Sequence, residues 1–390
     1  MTRPIVRIAV AAVALSFLVM LISVATGTGL QKEIKEKVIG FDGHIKVTHF
    51  DFNNSFESTA MHHSKMVVAG IREVKGVKDV QPFASKACIM RSESDFEGIL
   101  LKGVDSSYTW QFFENKMLRG HVPKLQGEES KDQILISSIQ ATRLGVDTGS
   151  KVILYFAQEP PKSPRRIPFF VSGIYDSGLE DFDKLYAMAD ISHILKLNGW
   201  GDSLIGGYEV LLEDIDRIPE ANTRINELLP YNQVARTVGQ NNPQIFEWLA
   251  LFDLNMLIIL VVMILVSSIN MITTLLILII DRRQFIGVLK ALGSPDGMVR
   301  KVFLYHATYL IGLGLLIGNT VGIGFCLGQK HFGWIKLDPL TYYVDTAPIN
   351  LVWWHVVALN AGTLLVCLLI LVLPSYLISR ISPTKVLRFN

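Results

Sequence analysis

Four membrane-spanning helices, with a large α+β domain inserted between the first and the second, make up the fold class that this sequence predicts. Three observations predict it. Apolar runs occur at 8–30, 254–280, 302–327 and 351–377, each long enough to cross a bilayer, which needs about 20 residues. The stretch 31–247 between the first two holds no run of that length. Lysine and arginine cluster in alternate connections.

Composition agrees. Half of the residues are hydrophobic and 18% are charged, low against the roughly 25% of soluble domains. A net charge of +2 points to neither an acidic nor a basic partner, and the absence of a basic stripe interleaved with aromatics excludes nucleic acid. Cys88, Cys326 and Cys367 have no paired spacing, so neither a disulfide framework nor a zinc motif is expected.

The first element is 1–30. Arg3 and Arg7 with Ser23-Val24-Ala25 have the outline of a signal peptide. The apolar run, however, exceeds the usual core of about 7–15 residues and continues into an amphipathic stretch, 31–39. A retained transmembrane anchor is expected. The positive-inside rule then sets direction. Arg3 and Arg7, the loop 281–301 (Arg282, Arg283, Lys290, Arg300, Lys301) and the tail (Arg380, Lys385, Arg388) are the basic connections, and 329–350 has only Lys330 and Lys336. Both termini and 281–301 are assigned to the cytoplasm, and the large domain to the outer side. Trp334, Tyr342, Tyr343, Trp353 and Trp354 stand where interfacial aromatics are expected.

The outer domain, 31–247, reads as short strands mixed with helices, an α+β pattern. Strands are expected at 43–50, 80–90, 97–104, 133–137, 151–157, 169–175 and 207–213, and helices at 58–71 (capped by Ser58), 139–144, 190–197 and 216–229. Residues 40–103 and 206–245 are expected to form a membrane-proximal lobe, with 104–205 inserted as a second lobe. Between two strand candidates lies EPPKSPRRIP, 159–168. Pro160, Pro161, Pro164 and Pro168 stiffen it, and Arg165 and Arg166 offer planar fixed charge. It is either a solvated hairpin tip or a hook that grips a soluble partner. The histidines lack metal-ligand spacing and no nucleophile motif occurs. The chain reads as a non-enzyme without a metal.

The region 248–390 carries the remaining three spans. Within the loop 281–301, Phe285, Val288, Leu289 and Leu292 fall at i, i+3, i+4 and i+7, one helical face. Gly293 and Pro295 close this short helix. It either lies on lipid or inserts into a cytoplasmic partner. No phosphate-binding loop of the GxxxxGK[ST] type occurs, so any nucleotide energy must enter through another subunit. In the third span Gly314, Gly318 and Gly322 recur every fourth residue, a spacing for close helix approach. They are read as a dimer seam in preference to packing within the bundle. Polar residues in the spans are few: Ser267, Ser268, Asn270, His306, Asn319 and Asn360. No chain of acidic or basic residues crosses the membrane, which disfavours an ion-coupled carrier.

The layout and the stretch RRQFIGVLKALGS, 282–294, resemble the FtsX/MacB-like permease superfamily. GHIKV (43–47), SGIYDSGLEDFD (172–183), YYVDTAPI (342–349) and SPTKVLR (382–388) narrow the resemblance to its lipoprotein-releasing, LolC/LolE-type branch. The resemblance implies a permease in the bacterial inner membrane, working as a dimer with a second permease protomer. ATP and Mg would be bound by a separate cytoplasmic ABC ATPase subunit, with no cofactor in this chain. It implies that Arg282, Arg283, Phe285, Ile286, Val288, Leu289, Leu292 and Gly293 form the ATPase-coupling helix. It implies a lipoprotein substrate, taken from the outer leaflet and handed to a periplasmic carrier, with the 160–168 loop in the place of a carrier-binding hook. An acyl cavity walled by spans one and two, with Phe17, Val24, Met256, Leu257 and Met263 as candidates, follows from the need to shelter lipid chains. Two related activities stand as alternatives: an FtsX-like scaffold controlling a periplasmic cell-wall hydrolase, and a MacB-like exporter.

Overall fold

The computed structural model describes residues 2–51, 57–125, 132–158, 163–201 and 203–376. The chain divides into a helical bundle, 1–33 with 247–337 and 344–390, and an outer unit, 34–246 with 338–343. Helices run at Thr2–Asp42 (α1), Lys65–Arg72 (α2), Gln111–Glu114 (α3), Ser138–Leu144 (α4), Glu180–Leu185 (α5), Ile191–Asn198 (α6), Ile218–Leu228 (α7), Val238–Asn241 (α8), Pro243–Asp281 (α9), Arg283–Ala291 (α10), Asp296–Phe332 (α11), Pro339–Tyr342 (α12) and Trp353–Ser375 (α13). Strands are Ile45–His49 (β1), Met61–His62 (β2), Val77–Arg91 (β3), Phe96–Val104 (β4), Met117–Gly120 (β5), Gln133–Ser137 (β6), Lys151–Phe156 (β7), Arg165–Tyr175 (β8), Tyr186–Asp190 (β9), Leu204–Ile205 (β10), Gly207–Leu212 (β11) and Gln233–Thr237 (β12).

Helices α1, α9, α11 and α13 are long and apolar enough to span a membrane. The first span does not end near residue 30 but runs unbroken to Asp42. The amphipathic tail explains the continuation. Ile34, Val38 and Phe41 recur at i, i+4 and i+7, all buried, so one helical face finds an apolar partner in the outer unit. Within the bundle, Gln31 ties α1 to α9 by donating to Asp253 at 2.9 Å and to the Leu249 carbonyl at 3.2 Å. On α11 and α13, Asn319 and Asn360 exchange amide hydrogen bonds of 2.8 and 3.1 Å. Each spends its other N–H on a carbonyl one turn back, so neither leaves a donor unpaired in an apolar setting.

The glycine row is an internal seam and not a dimer seam. A Cβ on Gly314 would lie 2.7 Å from Val13, one on Gly318 2.9 Å from the Ala14 carbonyl oxygen and 3.1 Å from the Phe17 ring, and one on Gly322 2.8 Å from Leu21. All three open the way for α1 of the same chain. Around Gly324 nothing lies within 4 Å. Gly318→Val is therefore expected to destabilise the bundle by about 1–3 kcal/mol through overpacking, while Gly324→Val is neutral. Thermal melts of the two variants in detergent check this. A dimer seam at Gly318 would instead leave the single chain's melt unchanged.

In the outer unit the sheet order is β12-β1-β11-β3-β4-β9-β6-β8-β5. Strand β7 pairs both with β3, at 89–91, and with β8 along its whole length. The strands β3, β4, β9, β6, β8 and β7 thus close into a ring. Their side chains supply one apolar cluster, including Met90, Leu101, Ile136, Leu154, Phe169 and Ala189, joined by Ile191 and Ile194 of α6. The expected lobe boundary at 103/104 does not cut this sheet. Strand β4 pairs in parallel with β9, and β3 serves β11 with its first half and β4 and β7 with its second. A long strand between two neighbour sets has no break at which a lobe could separate.

The expected helix at 58–71 begins late. Its N-cap is Ser64, whose hydroxyl accepts from Val67, and residues 61–62 pair with β10. Ser58 instead accepts a backbone hydrogen bond from Ser85 at 2.9 Å. Of the prolines and arginines at 164–168, all but Pro164 fall within a strand, because β8 starts at Arg165.

Candidate functional site

Three places in the structure bear on function: the loop between α9 and α11, the apolar faces of α1 and α9, and the stem of α1 in the outer unit.

Helix α10 ends in a Schellman motif. Ser294 N–H donates to the Leu289 carbonyl and Gly293 N–H to that of Lys290, with Gly293 at φ +87, a conformation open to glycine at little steric expense. Lys290 closes the loop on Asp296 at 2.9 Å, and Asp296 also sits in the first turn of α11, where negative charge suits the helix dipole. The faces of α10 are unequal. Ile286 is fully buried in the bundle core and Gly287 beside it is buried too. Phe285 is 55% and Leu292 79% exposed, with Val288 exposed between them. Leu289 is half-buried, and Arg282 and Arg283 are exposed. Ile286 is thus removed from the expected coupling surface, because it anchors α10 to its own chain.

Of the hook residues, Pro160 and Pro161 lie outside the described residues, as does the 382–388 motif. Pro164 is exposed just before β8. Arg165, Arg166 and Pro168 are not loop residues: they pair with Phe156, Tyr155 and Ile153 of β7 and remain exposed. Pro168 is tolerated because β6 flanks β8 only from Phe170 onward, so its missing N–H faces no strand on that side.

The acyl-cavity candidates separate. Phe17 is fully buried against α11 and cannot line a cavity in this arrangement. Met256 lies over Gly27 of α1, in the space a Cβ would take. Val24 and Met263 are half-buried, and Leu257 is exposed. Helix α9 is the most uncovered of the four spans, with 6% of its apolar window buried.

The stem of α1 carries charges that periodicity did not reveal. Lys102 of β4 is buried, donates to Glu209 of β11 at 2.8 Å and also donates to the Phe41 carbonyl. Lys46 of β1 donates to Asp42, the last residue of α1, at 2.8 Å. Asn242, immediately before α9, donates to the other Asp42 oxygen at 3.0 Å. Burial pulls the Lys102 amine below its ordinary pKa, against the pull of Glu209. Phe41 meets the rings of Phe112, Phe113, Tyr175, Phe182 and Tyr186 at 5.0–6.0 Å. One signal was available in the sequence. Lys102 interrupts the apolar run Ile99-Leu100-Leu101-Lys102-Gly103-Val104, and a lone charge in a core strand must find a partner.

The 172–183 motif runs from the end of β8 through a short loop, 176–179, into α5, and that loop is tied down by Asp183 of α5. Its carboxylate accepts from the Ser177 hydroxyl at 2.7 Å and the Ser177 N–H at 3.1 Å, and burial pushes its pKa up to about 7. Among the described residues no three His, Cys, Asp or Glu side chains gather as metal ligands would.

Comparison with known proteins places these features. The MacB-like periplasmic core domain matches residues 8–228, and the FtsX-like permease C-terminal domain matches 257–383. The lipoprotein-releasing system transmembrane protein LolC of Xylella fastidiosa is 23% identical over 97% of this chain and 92% of its own. LolE of Haemophilus influenzae is 23% identical over 96% of this chain and 92% of its own. The periplasmic region of MacB from Actinobacillus actinomycetemcomitans superposes with a TM-score of 0.36 at 17% identity, over 55% of this chain and 97% of that one. With the first domain matching more than half of its length and the second most of the remainder, this chain belongs to the FtsX/MacB-like permease superfamily, as a homologue of the LolC/LolE-type permeases.

Proposed function

We propose that this chain is the permease subunit of an ATP-driven complex that lifts lipoproteins out of the outer leaflet of the bacterial inner membrane and passes them to a periplasmic carrier. The observation that carries the reading is similarity to LolC and LolE over nearly the whole chain, outer domain and spans together. Physical chemistry supplies the need for such a machine. Each acyl CH₂ held in lipid is worth about 0.8 kcal/mol, so extraction into water is prohibitive without an apolar shelter and an energy source. The basic loop with α10 belongs on the cytoplasmic side with both termini, and the outer unit on the periplasmic side.

In this reading the exposed face of α10, Phe285, Val288 and Leu292, flanked by Arg282 and Arg283, enters a groove of the ATPase subunit, which binds ATP and Mg. Val24, Met256, Leu257 and Met263, on α1 and α9, offer the apolar surface to the acyl chains, methionine suiting a variable guest. The uncovered side of α9 faces a second permease protomer or lipid. Pro164, Arg165 and Arg166, at the exposed end of the β7–β8 hairpin, meet the carrier. Depletion of this chain in its host is expected to trap mature lipoproteins in the inner membrane, read by fractionation and immunoblot. Normal outer-membrane lipoprotein levels after depletion would overturn the proposal.

A further inference from the structure

Two segments that stand far apart in the chain meet in the outer unit. One is 177–181 of the SGIYDSGLEDFD stretch, the loop after β8 and the first residues of α5. The other is 338–343, which belongs to the outer unit although its chain neighbours on both sides belong to the bundle. Lys37 of α1 lies between them. It is 7% exposed and donates to the Tyr343 carbonyl at 2.6 Å. The Tyr343 phenol is pushed above its ordinary pKa by burial and by the neighbouring Asp181 carboxylate, which places that carboxylate beside its hydroxyl. Gly178, at φ +71, leaves room for the lysine: a Cβ there would fall 2.6 Å from its Nζ. Tyr343 itself sits at φ +59, and among the described residues it is the one non-glycine residue at positive φ. Such a backbone is disfavoured for a bulky L residue and persists only where its surroundings hold it. A strained tyrosine held by a buried cation and a carboxylate has the construction of a two-state catch.

We infer that 338–343 is a strap, latched to the α1 stem by Lys37 and to the 177–181 segment by Asp181, and that its release and relatching couple the α11–α13 connection to the outer unit during transport. Lys37 and Tyr343 act as positioning residues. When Lys37 lets go, the Tyr343 N–H keeps its bond to the Pro339 carbonyl of α12, but the Tyr343 carbonyl loses the buried ammonium that ties it to the α1 stem, and the strap leaves. The coupling half of this inference rests on the transport function proposed above; the latch itself does not.

The test uses the full chain with its ATPase subunit in lipid nanodiscs, comparing wild type, Lys37→Met, Lys37→Arg and Tyr343→Phe. Losing a charge-assisted hydrogen bond is expected to speed amide exchange in 338–343 by about tenfold or more in Lys37→Met, with the amides of β3, β4 and β9 unchanged. Lipoprotein released per ATP hydrolysed is expected to fall about fivefold or more while ATP hydrolysis continues, and Lys37→Arg is expected to recover part of it. Tyr343→Phe removes a single hydroxyl and gives the same changes at smaller amplitude, so it carries the test even where Lys37→Met folds poorly. Unaltered strap exchange in both Lys37→Met and Tyr343→Phe would overturn the latch. Faster exchange with an unchanged release ratio would overturn the coupling. A wild type that releases no lipoprotein, with strap exchange still responding to Lys37→Met, would sink the transport reading and leave the latch standing.

Discussion

Replacing Phe285 and Leu292 together with aspartate is expected to abolish co-purification of the ATPase subunit while leaving the permease folded. Both side chains are more than half exposed in the single chain, so the substitutions remove little internal packing. At a protein interface, buried apolar anchors of this kind are worth about 2 kcal/mol or more each. Losing two weakens binding by roughly a thousandfold, enough to empty a micromolar pull-down. The measurement is ATPase retained on affinity-tagged permease, with the thermal melt of the permease recorded alongside. Ile286→Asp is the informative contrast. Ile286 is fully buried against the bundle, so its charge acts on the chain's own stability and lowers the melt. Retained ATPase on the Phe285→Asp/Leu292→Asp variant would remove α10 from the docking surface.

Lys102→Met is expected to destabilise the outer unit by about 3–5 kcal/mol, the loss that follows when one partner of a buried ion pair is taken away. Its side chain lies 2.7 Å from the nearer oxygen of Glu209, and both residues are 2% exposed. Methionine preserves much of the volume but leaves the Glu209 carboxylate and the Phe41 carbonyl short of a donor. Lys46, 3.9 Å from Glu209, compensates in part, which places the loss toward the lower end of that range. For a unit of this size the shift is about 10 °C in Tm, read by intrinsic fluorescence of the purified chain. The double variant Lys102→Met/Glu209→Leu is expected to recover most of the loss, because no charge then remains buried unpaired. A single variant as stable as wild type would show that the pair is dispensable.

The elements with strong periodicity were legible in the residues. Four apolar runs became α1, α9, α11 and α13, and the alternating stretches near 45–49, 133–137 and 207–212 became β1, β6 and β11. The amphipathic face around Phe285 became α10, closed by Gly293 as its φ +87 requires. Weak local signals yield to tertiary pairing. Ser58 resembles a helix cap, yet the chain at 61–62 is taken by β10 and the cap passes to Ser64. Arg165, Arg166 and Pro168 have loop composition, yet pairing with β7 draws them into a strand.

By itself the sequence determined which segments are long and apolar enough to span a membrane and which helix face stays apolar in the basic loop. These follow from hydrophobic length and period, which are local quantities. Only the tertiary structure decided which neighbour each face meets. A row of glycines states that something approaches closely, and the fold decided that it is α1 of the same chain. Phe17 reads as apolar in any setting, and the fold decided that it is core. Lys37, Lys102, Glu209 and Tyr343 lie far apart in sequence. Their roles arise from pairings across the sheet and along the α1 stem, because a buried charge or a strained backbone is defined by what surrounds it.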